Sequence, residues 1–311
     1  MAFNVSGLTD YVNQTSTDLL VAMKIKSETA ALATKQTGIK SAEALQLLAT
    51  DPIPQAGGSC AFNASGSATF TQRTLTVTSI KFEDALCLDT LEAKWTQILL
   101  PDGSNYNESD IPKAIVDDLV LNINKRLETA DWQGDTSSSN AYLSKYDGLV
   151  KIINAASPVT ATSSTWSVAN SRTIIQNILS NIPAALQGDP EVTICMGYDA
   201  YTDYVNKLAI DNLYHISGQQ DSANYGTIQA ENSLVKIKAL HGLDGLKGTS
   251  GAHCIFALKW SNVFLGMDKL KEENQDLMWL ADDKANVRYR FKFKRGWQIA
   301  YPSEIVMYSN T

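Results

Sequence analysis

The chain has 311 residues, 44% of them hydrophobic and 19% charged, with 26 Lys and Arg against 33 Asp and Glu for a net charge of −7. That balance suits a folded protein with a substantial core, as one large domain or two to three smaller ones, and argues against a generic nucleic-acid binder, which is basic overall. The first residues lack the pattern of a signal peptide and no stretch approaches the roughly 18 uncharged apolar residues of a membrane-spanning helix, so a soluble cytoplasmic protein without membrane contact is expected.

Residues 1 to about 50 read as short, loosely anchored helices. Leu19, Leu20, Val21 and Met23 follow Ser16 and Asp18; a second helix runs from Ser27 to Ala33 and a third from Ser41 to Leu48. Helices this short are marginal alone and need an external surface to cover their apolar stripes. Asp51-Pro52-Ile53-Pro54 ends helical structure, because proline disfavours helix in the residue before it. Residues 56 to 88 then alternate apolar positions (Phe62, Phe70, Leu75, Val77, Ile80, Phe82) with small and hydroxylated ones, which predicts a long β-hairpin turning at Asn63 to Gly66. The phase slip between Val77 and Ile80 predicts a bulge. Such a ribbon is too polar to make its own core and needs another surface to rest on.

Asp89 to Leu100 reads as a helix, and Asp110 to Ala130 as a clearer one. Asp110 is a good N-cap, Pro112 sits in the first turn, and Ile111, Ile115, Leu119, Ile123 and Leu127, flanked by Val116 and Val120, make a wide apolar stripe. Lys125 and Arg126 stand near its C-terminal end, where the helix dipole favours cations. Trp132-Gln133-Gly134-Asp135 closes it, and Tyr146-Asp147-Gly148-Leu149 opens a short helix to Ala156. The Ser/Thr/Pro-rich residues 157 to 164 read as a linker. Beyond them an α/β pattern predicts a helix over Ser167–Leu186, a strand over Val192–Met196, a helix over Ala200–Asn212, and strands at Leu234–Ile237 and Cys254–Leu258 around a glycine-rich loop, Gly242–Gly251. A last strand is expected at Glu304–Met307.

Val287 to Lys294 reads Val-Arg-Tyr-Arg-Phe-Lys-Phe-Lys. With a period of two, Val287, Tyr289, Phe291 and Phe293 share one face of a strand while Arg288, Arg290, Lys292 and Lys294 share the other. With Arg295 counted in, five cations fall in eight residues; without them 21 basic residues stand against 33 acidic ones, so the rest of the chain is at −12. A basic strip on an acidic body suits contact between copies of the chain or with an anionic partner. Alternating aromatics and cations can also bind single-stranded nucleic acid, but here the aromatic face reads as a core face.

No catalytic, cofactor or metal site is expected. Lys247-Gly248-Thr249 breaks the order that a P-loop requires. His215, His241 and His253 are the only histidines, which leaves few bases for a triad. The pairs Asp117-Asp118, Glu272-Glu273 and Asp282-Asp283 lack the spaced ligands of a calcium loop. Cys60, Cys87, Cys195 and Cys254 lack the close pairing of a zinc site and read as reduced, mostly buried thiols.

The order of these parts resembles the major capsid proteins of tailed bacteriophages, which have the HK97-type fold. It rests on loose N-terminal helices, a long polar hairpin, a long amphipathic helix ending in Trp132-Gln133-Gly134-Asp135, the Tyr146-Asp147-Gly148-Leu149 turn, an α/β segment, and a basic strand running into Gly296-Trp297-Gln298-Ile299-Ala300-Tyr301-Pro302. The resemblance implies an α+β architecture: N-arm over 1–55, extended E-loop hairpin over 56–88, peripheral domain with the long spine helix over 89–159, axial α/β domain over 160–285, and C-terminal strands over 286–311 returning to the peripheral domain. It implies a structural, non-enzymatic subunit that assembles with its own copies into pentamers and hexamers of an icosahedral head. That head is a virion capsid assembled in the host cytoplasm, with packaged dsDNA held by non-specific contact. Separate scaffolding, portal and decoration proteins are further possible partners, and no cofactor is implied. The expected inter-subunit contacts are Leu19, Leu20, Phe62, Phe70, Arg73, Arg288, Arg290, Lys292 and Lys294. Between Phe62 and Ile80 there is no lysine, only Arg73, so the covalent E-loop crosslink of some relatives is not expected. The competing readings are an encapsulin-like nanocompartment shell, a nucleic-acid-binding module, and a hydrolase with an unrecognised site.

Overall fold

The computed structural model describes residues 27–55, 57, 65–87, 110–211, 226–231, 233–246, 255–268, 280–283 and 286–310. Its helices are α1 (Glu28–Leu32), α2 (Asp110–Gln133), α3 (Leu149–Ala155), α4 (Ser171–Ser180) and α5 (Tyr198–Ile210). Its first strands are β1 (Thr34–Gln36), β2 (Ala42–Pro52), β3 (Gly66–Thr76), β4 (Thr78–Cys87), β5 (Val159–Ser163) and β6 (Val192–Met196). Then come β7 (Thr227–Gln229), β8 (Lys236–Ala239), β9 (Ile255–Lys259), β10 (Val263–Met267), β11 (Leu280–Asp283), β12 (Asn286–Ile299) and β13 (Val306–Asn310).

These strands form two body sheets and a separate ribbon. One sheet runs β1-β10-β12-β11 with β4 also on β12; the other runs β5-β13-β9-β6-β8-β7; among the described residues β2 and β3 pair only with each other. The mixed helices and sheets agree with the α+β class read from the sequence. Helix α2 buries Val120, Ile123, Leu127 and Trp132 in a core with Phe291, Phe293 and Trp297 of β12 and Leu265 of β10. The second sheet is covered on both faces. Cys195, Phe256, Leu258 and Met307 point into the α2 core, while Ile194, Met196, Ile255, Ala257 and Tyr308 meet Ile174, Ile178, Tyr201 and Tyr204 of α4 and α5. A strand buried on both sides reads as a continuous apolar run, which is why Val192–Met196 was legible as it stands.

Several expectations change. Ser41–Leu48, rich in helix-forming Ala, Glu, Gln and Leu, forms the start of strand β2, paired residue for residue with β3 from Ala42↔Thr76 to Pro52↔Gly66. The ladder overrides local propensity. The hairpin is therefore β2–β3, and the second half of the expected one, β4, leaves it to pair with β12 over Thr78–Cys87. The phase slip near Val77 is this change of partner, not a bulge. Residues 157–164 contain β5, a sheet strand parallel to β13. The Ser167–Leu186 helix shortens to α4 followed by a single turn at Ala184–Leu186. Residues 27–40 are not a loose appendage: Thr29, Ala30 and Ile39 are buried, and β1 joins the body sheet beside β10. The C-terminal strands part company, β12 lying in the sheet under α2 and β13 between β5 and β9 in the other. Lys125 and Arg126 are not in the last turn of α2, which runs on to Gln133. The expected helices at 19–23 and Asp89–Leu100 lie outside the described residues.

Candidate assembly interface

The feature that stands apart from both cores is the β2–β3 ribbon. Eleven paired residues at about 3.3 Å each give an arm of about 35 Å. Among the described residues, its packing is at the root. Ile39, Leu45, Leu75 and Val77 form a small cluster closed by Phe264. Val77 N–H donates to Ser41 O at 2.8 Å and Ile39 N–H to Met267 O at 3.2 Å. Gln298 Nε2 donates to Thr74 O at 2.7 Å, and Lys294 Nζ to Lys40 O at 2.8 Å. The root crosses β10 and β12 where Gly266 and Gly296 are direct partners. A Cβ at Gly296 would strike the backbone of Thr76 and Val77, and one at Gly266 the side chains of Val77 and Leu75. Two glycines thus let the arm lie against the sheet.

Beyond the root, no described residue is buried against the arm. Its faces alternate, so Leu45 and Leu75 turn to the body while the direct partners Leu48 and Phe70 share the opposite face. Phe70 is 75% exposed, Leu48 51%, and Ile53 past the end of β2 is 55% exposed. The two strands carry just three charges, Glu43, Asp51 and Arg73, so little prevents this surface from docking. A long, weakly charged ribbon with open edges is a template for pairing with another chain.

Below the arm, β4 and β12 expose a charged face. Lys81 and Lys292 are direct cross-strand partners, as are Glu83 and Arg290. Arg290 Nε lies 2.5 Å from Glu83 Oε1 and Lys81 Nζ lies 2.8 Å from Glu83 Oε2. The hydrogen bond from Lys81, then Arg290, holds the Glu83 carboxyl below its ordinary pKa. Phe291 and Phe293, on the other face, are buried.

Arg295 breaks the expected strip. It shares the parity of Phe293 and Trp297 and enters the core, where Nε donates to Asp131 Oδ1 at 2.7 Å and NH2 to Asp131 Oδ2 and to Ser27 Oγ (3.0 Å). Asp131 also accepts from Trp297 Nε1 at 2.8 Å and Tyr146 OH at 2.7 Å. Burial pulls the Arg295 pKa down, but Asp131 beside it carries the net shift upward. One turn earlier on α2, Glu128 accepts from Thr29 N–H at 3.0 Å and from Thr29 Oγ1, which itself accepts from Trp132 Nε1 at 2.7 Å. Burial first, then repulsion from Asp131, pushes Glu128 up to about 7 against an opposing pull from the Thr29 hydrogen bonds. This polar knot fastens residues 27–29 to α2. A lone lysine or arginine in a basic run gives no hint of such a role; the odd-numbered position of Arg295 does.

Of the expected contact residues, Leu19, Leu20 and Phe62 lie outside the described residues. Phe70 is on the exposed arm. Arg73 sits at the arm root opposite Leu45, its NH2 3.5 Å from Gln298 Oε1 of the same chain. Arg288 pairs with Ala85 in the ladder; nothing further is described of its side chain. Arg290 and Lys292 are exposed, and Lys294 is half-buried, 3.3 Å from Asp268. Leu48 and Lys81 were missed: Leu48 because its segment reads as a helix, Lys81 because only the strand pairing brings it beside Lys292.

Elsewhere the chemistry is sparse. Cys195 is buried and its thiol pKa is pushed up by burial, while Cys60 and Cys254 lie outside the described residues. His241 stacks on Tyr198 with ring centroids 4.1 Å apart, and its Nδ1 lies 2.9 Å from Asp244. His215, His253 and the Lys247-Gly248-Thr249 loop lie outside the described residues. Among the described residues no group of three His, Cys, Asp or Glu could hold a metal ion, and no helix is long and apolar enough to cross a membrane.

No protein-family model and no curated protein matches the chain. Solved structures do. A chain from the satellite phage P4 procapsid including size determination (Sid) protein aligns at 11% identity over 95% of this chain and 90% of its own length, with a TM-score of 0.61. A chain from the capsid of Myoviridae phage XM1 aligns at 12% identity over 90% and 89%, TM-score 0.56, and one from Gordonia phage Cozz at 12% over 92% and 86%, TM-score 0.58. The chain has the fold of phage capsid structures over nearly its whole length.

Proposed function

We propose that the chain is a major capsid protein of the HK97 type, whose copies form pentamers and hexamers that close an icosahedral phage head around double-stranded DNA. The arm carries the proposal. A body with two well-filled cores holds out a ribbon of about 35 Å with Leu48, Phe70 and Ile53 uncovered, and the likeness to capsid folds supports a sister subunit as the cover. Burial of each such side chain is worth about 1.5–3 kcal/mol at most, so a single contact is modest and a closed shell gains by repeating it. In this assignment β2–β3 is the E-loop, α2 the spine helix of the peripheral domain, and the six-stranded sheet with α4 and α5 the axial domain. Residues 27–36 are then the anchored end of the N-arm. Scaffolding, portal and decoration proteins, where present, are separate chains.

Size-exclusion chromatography followed by electron microscopy of the purified protein tests this. Capsomers and closed shells are expected. A compact monomer that persists at high concentration, its arm folded onto its own body, refutes it; shells filled with an enzyme and free of DNA assign the chain to nanocompartments instead.

A further inference from the structure

We infer that the exposed β4–β12 face, centred on Lys81, Arg290 and Lys292, docks against an acidic surface of a second copy of the chain. The inference rests on the capsid reading and specifies one of its contacts. Lys81 and Lys292 stand directly opposite each other in the ladder, an arrangement that costs stability in an isolated sheet. Glu83 is engaged by both Lys81 and Arg290, and among the described residues no acidic group pairs with Lys292. The face therefore carries about two net positive charges with one carboxylate set between them. A nucleic-acid phosphate track fits poorly, because Glu83 points its charge into the patch and the rest of the chain repels a polyanion. A protein surface that presents carboxylates to Lys81 and Lys292 fits, and a second copy of a chain with 33 acidic against 26 basic residues is rich in such groups. Charges arranged this way fix register and orientation between copies more than they add raw affinity. Lys294 is excluded from the contact, since it is spent on Lys40 O and Asp268 at the arm root.

The test is the double variant Lys81→Gln, Lys292→Gln in the full chain. Removal of a like-charge pair leaves the subunit at least as resistant to urea as wild type. Shell yield, read by light scattering and electron microscopy, falls about tenfold or more, and loses the salt dependence that wild-type assembly shows on the scale of the Debye length. Wild-type protein that forms no shells refutes the capsid reading itself. Wild-type shells with a variant that assembles equally well overturn the inference, as does a variant that assembles normally but retains less DNA, which would give the face to nucleic acid.

Discussion

Glu128→Gln isolates the cost of keeping a carboxylate in the polar knot. Glu128 is nearly fully buried and titrates at about 7 when folded, against 4.5 ordinarily. Between those two values the folded state holds a proton that the unfolded chain has lost. Wild-type stability from this group is therefore complete below about pH 4.5 and is lost as the pH rises through 7. The gap corresponds to about 3 kcal/mol. Glutamine keeps both contacts in neutral form: its carbonyl takes the Thr29 N–H and its amide donates to Thr29 Oγ1, which already accepts from Trp132. In urea titrations of unassembled subunits, the variant matches wild type near pH 4.5 and gains steadily to about 3 kcal/mol by pH 8. Using the variant as reference cancels the titrating groups that do not interact with Glu128. A stability difference that does not change with pH refutes the assignment of a buried, proton-holding carboxyl, and a variant weaker than wild type at pH 8 shows that ionised Glu128 is the form the knot requires.

The other predictions concern the arm and the core. Leu48→Ser with Phe70→Ser leaves the urea midpoint of the subunit within about 0.5 kcal/mol of wild type, as for exposed positions, while shells fail to form by electron microscopy; a large loss of subunit stability would mean that these side chains are packed at home. Gly296→Ala forces the backbone at Thr76–Val77 to move and costs about 1–3 kcal/mol as an overpacking change, with faster limited proteolysis in the arm; unchanged stability and cleavage refute the close crossing. Leu127→Ala costs about 2–5 kcal/mol and Leu119→Ala less, because Leu127 is buried while Leu119 is only partly covered; equal costs by urea titration would contradict that packing.

The sequence alone determined what depends on local periodicity. The stripe along Ile123 and Leu127, the apolar run of Val192–Met196 and the alternation of Phe291 and Phe293 were each readable because burial on one or both sides leaves a repeat of about 3.6, one or two residues. Trp132-Gln133-Gly134 and Tyr146-Asp147-Gly148 were readable as punctuation. Their reason appears only in space: Gly148 N–H donates to Gly134 O at 2.8 Å, and a Cβ on either glycine would meet the other segment's backbone.

Tertiary structure decided everything that depends on which segments meet. Ser41–Leu48 has the composition of a helix and is a strand because β3 supplies its hydrogen bonds. A ribbon that leaves its sheet at Val77 looks, in one dimension, like a slipped phase. Lys81 becomes part of the charged face only beside Lys292, some two hundred positions away. Arg295 belongs by charge to a basic strip and by parity to the core, and Asp131, brought in by α2, settles the contest: a guanidinium enters an apolar interior only where a carboxylate and further polar partners already wait for it.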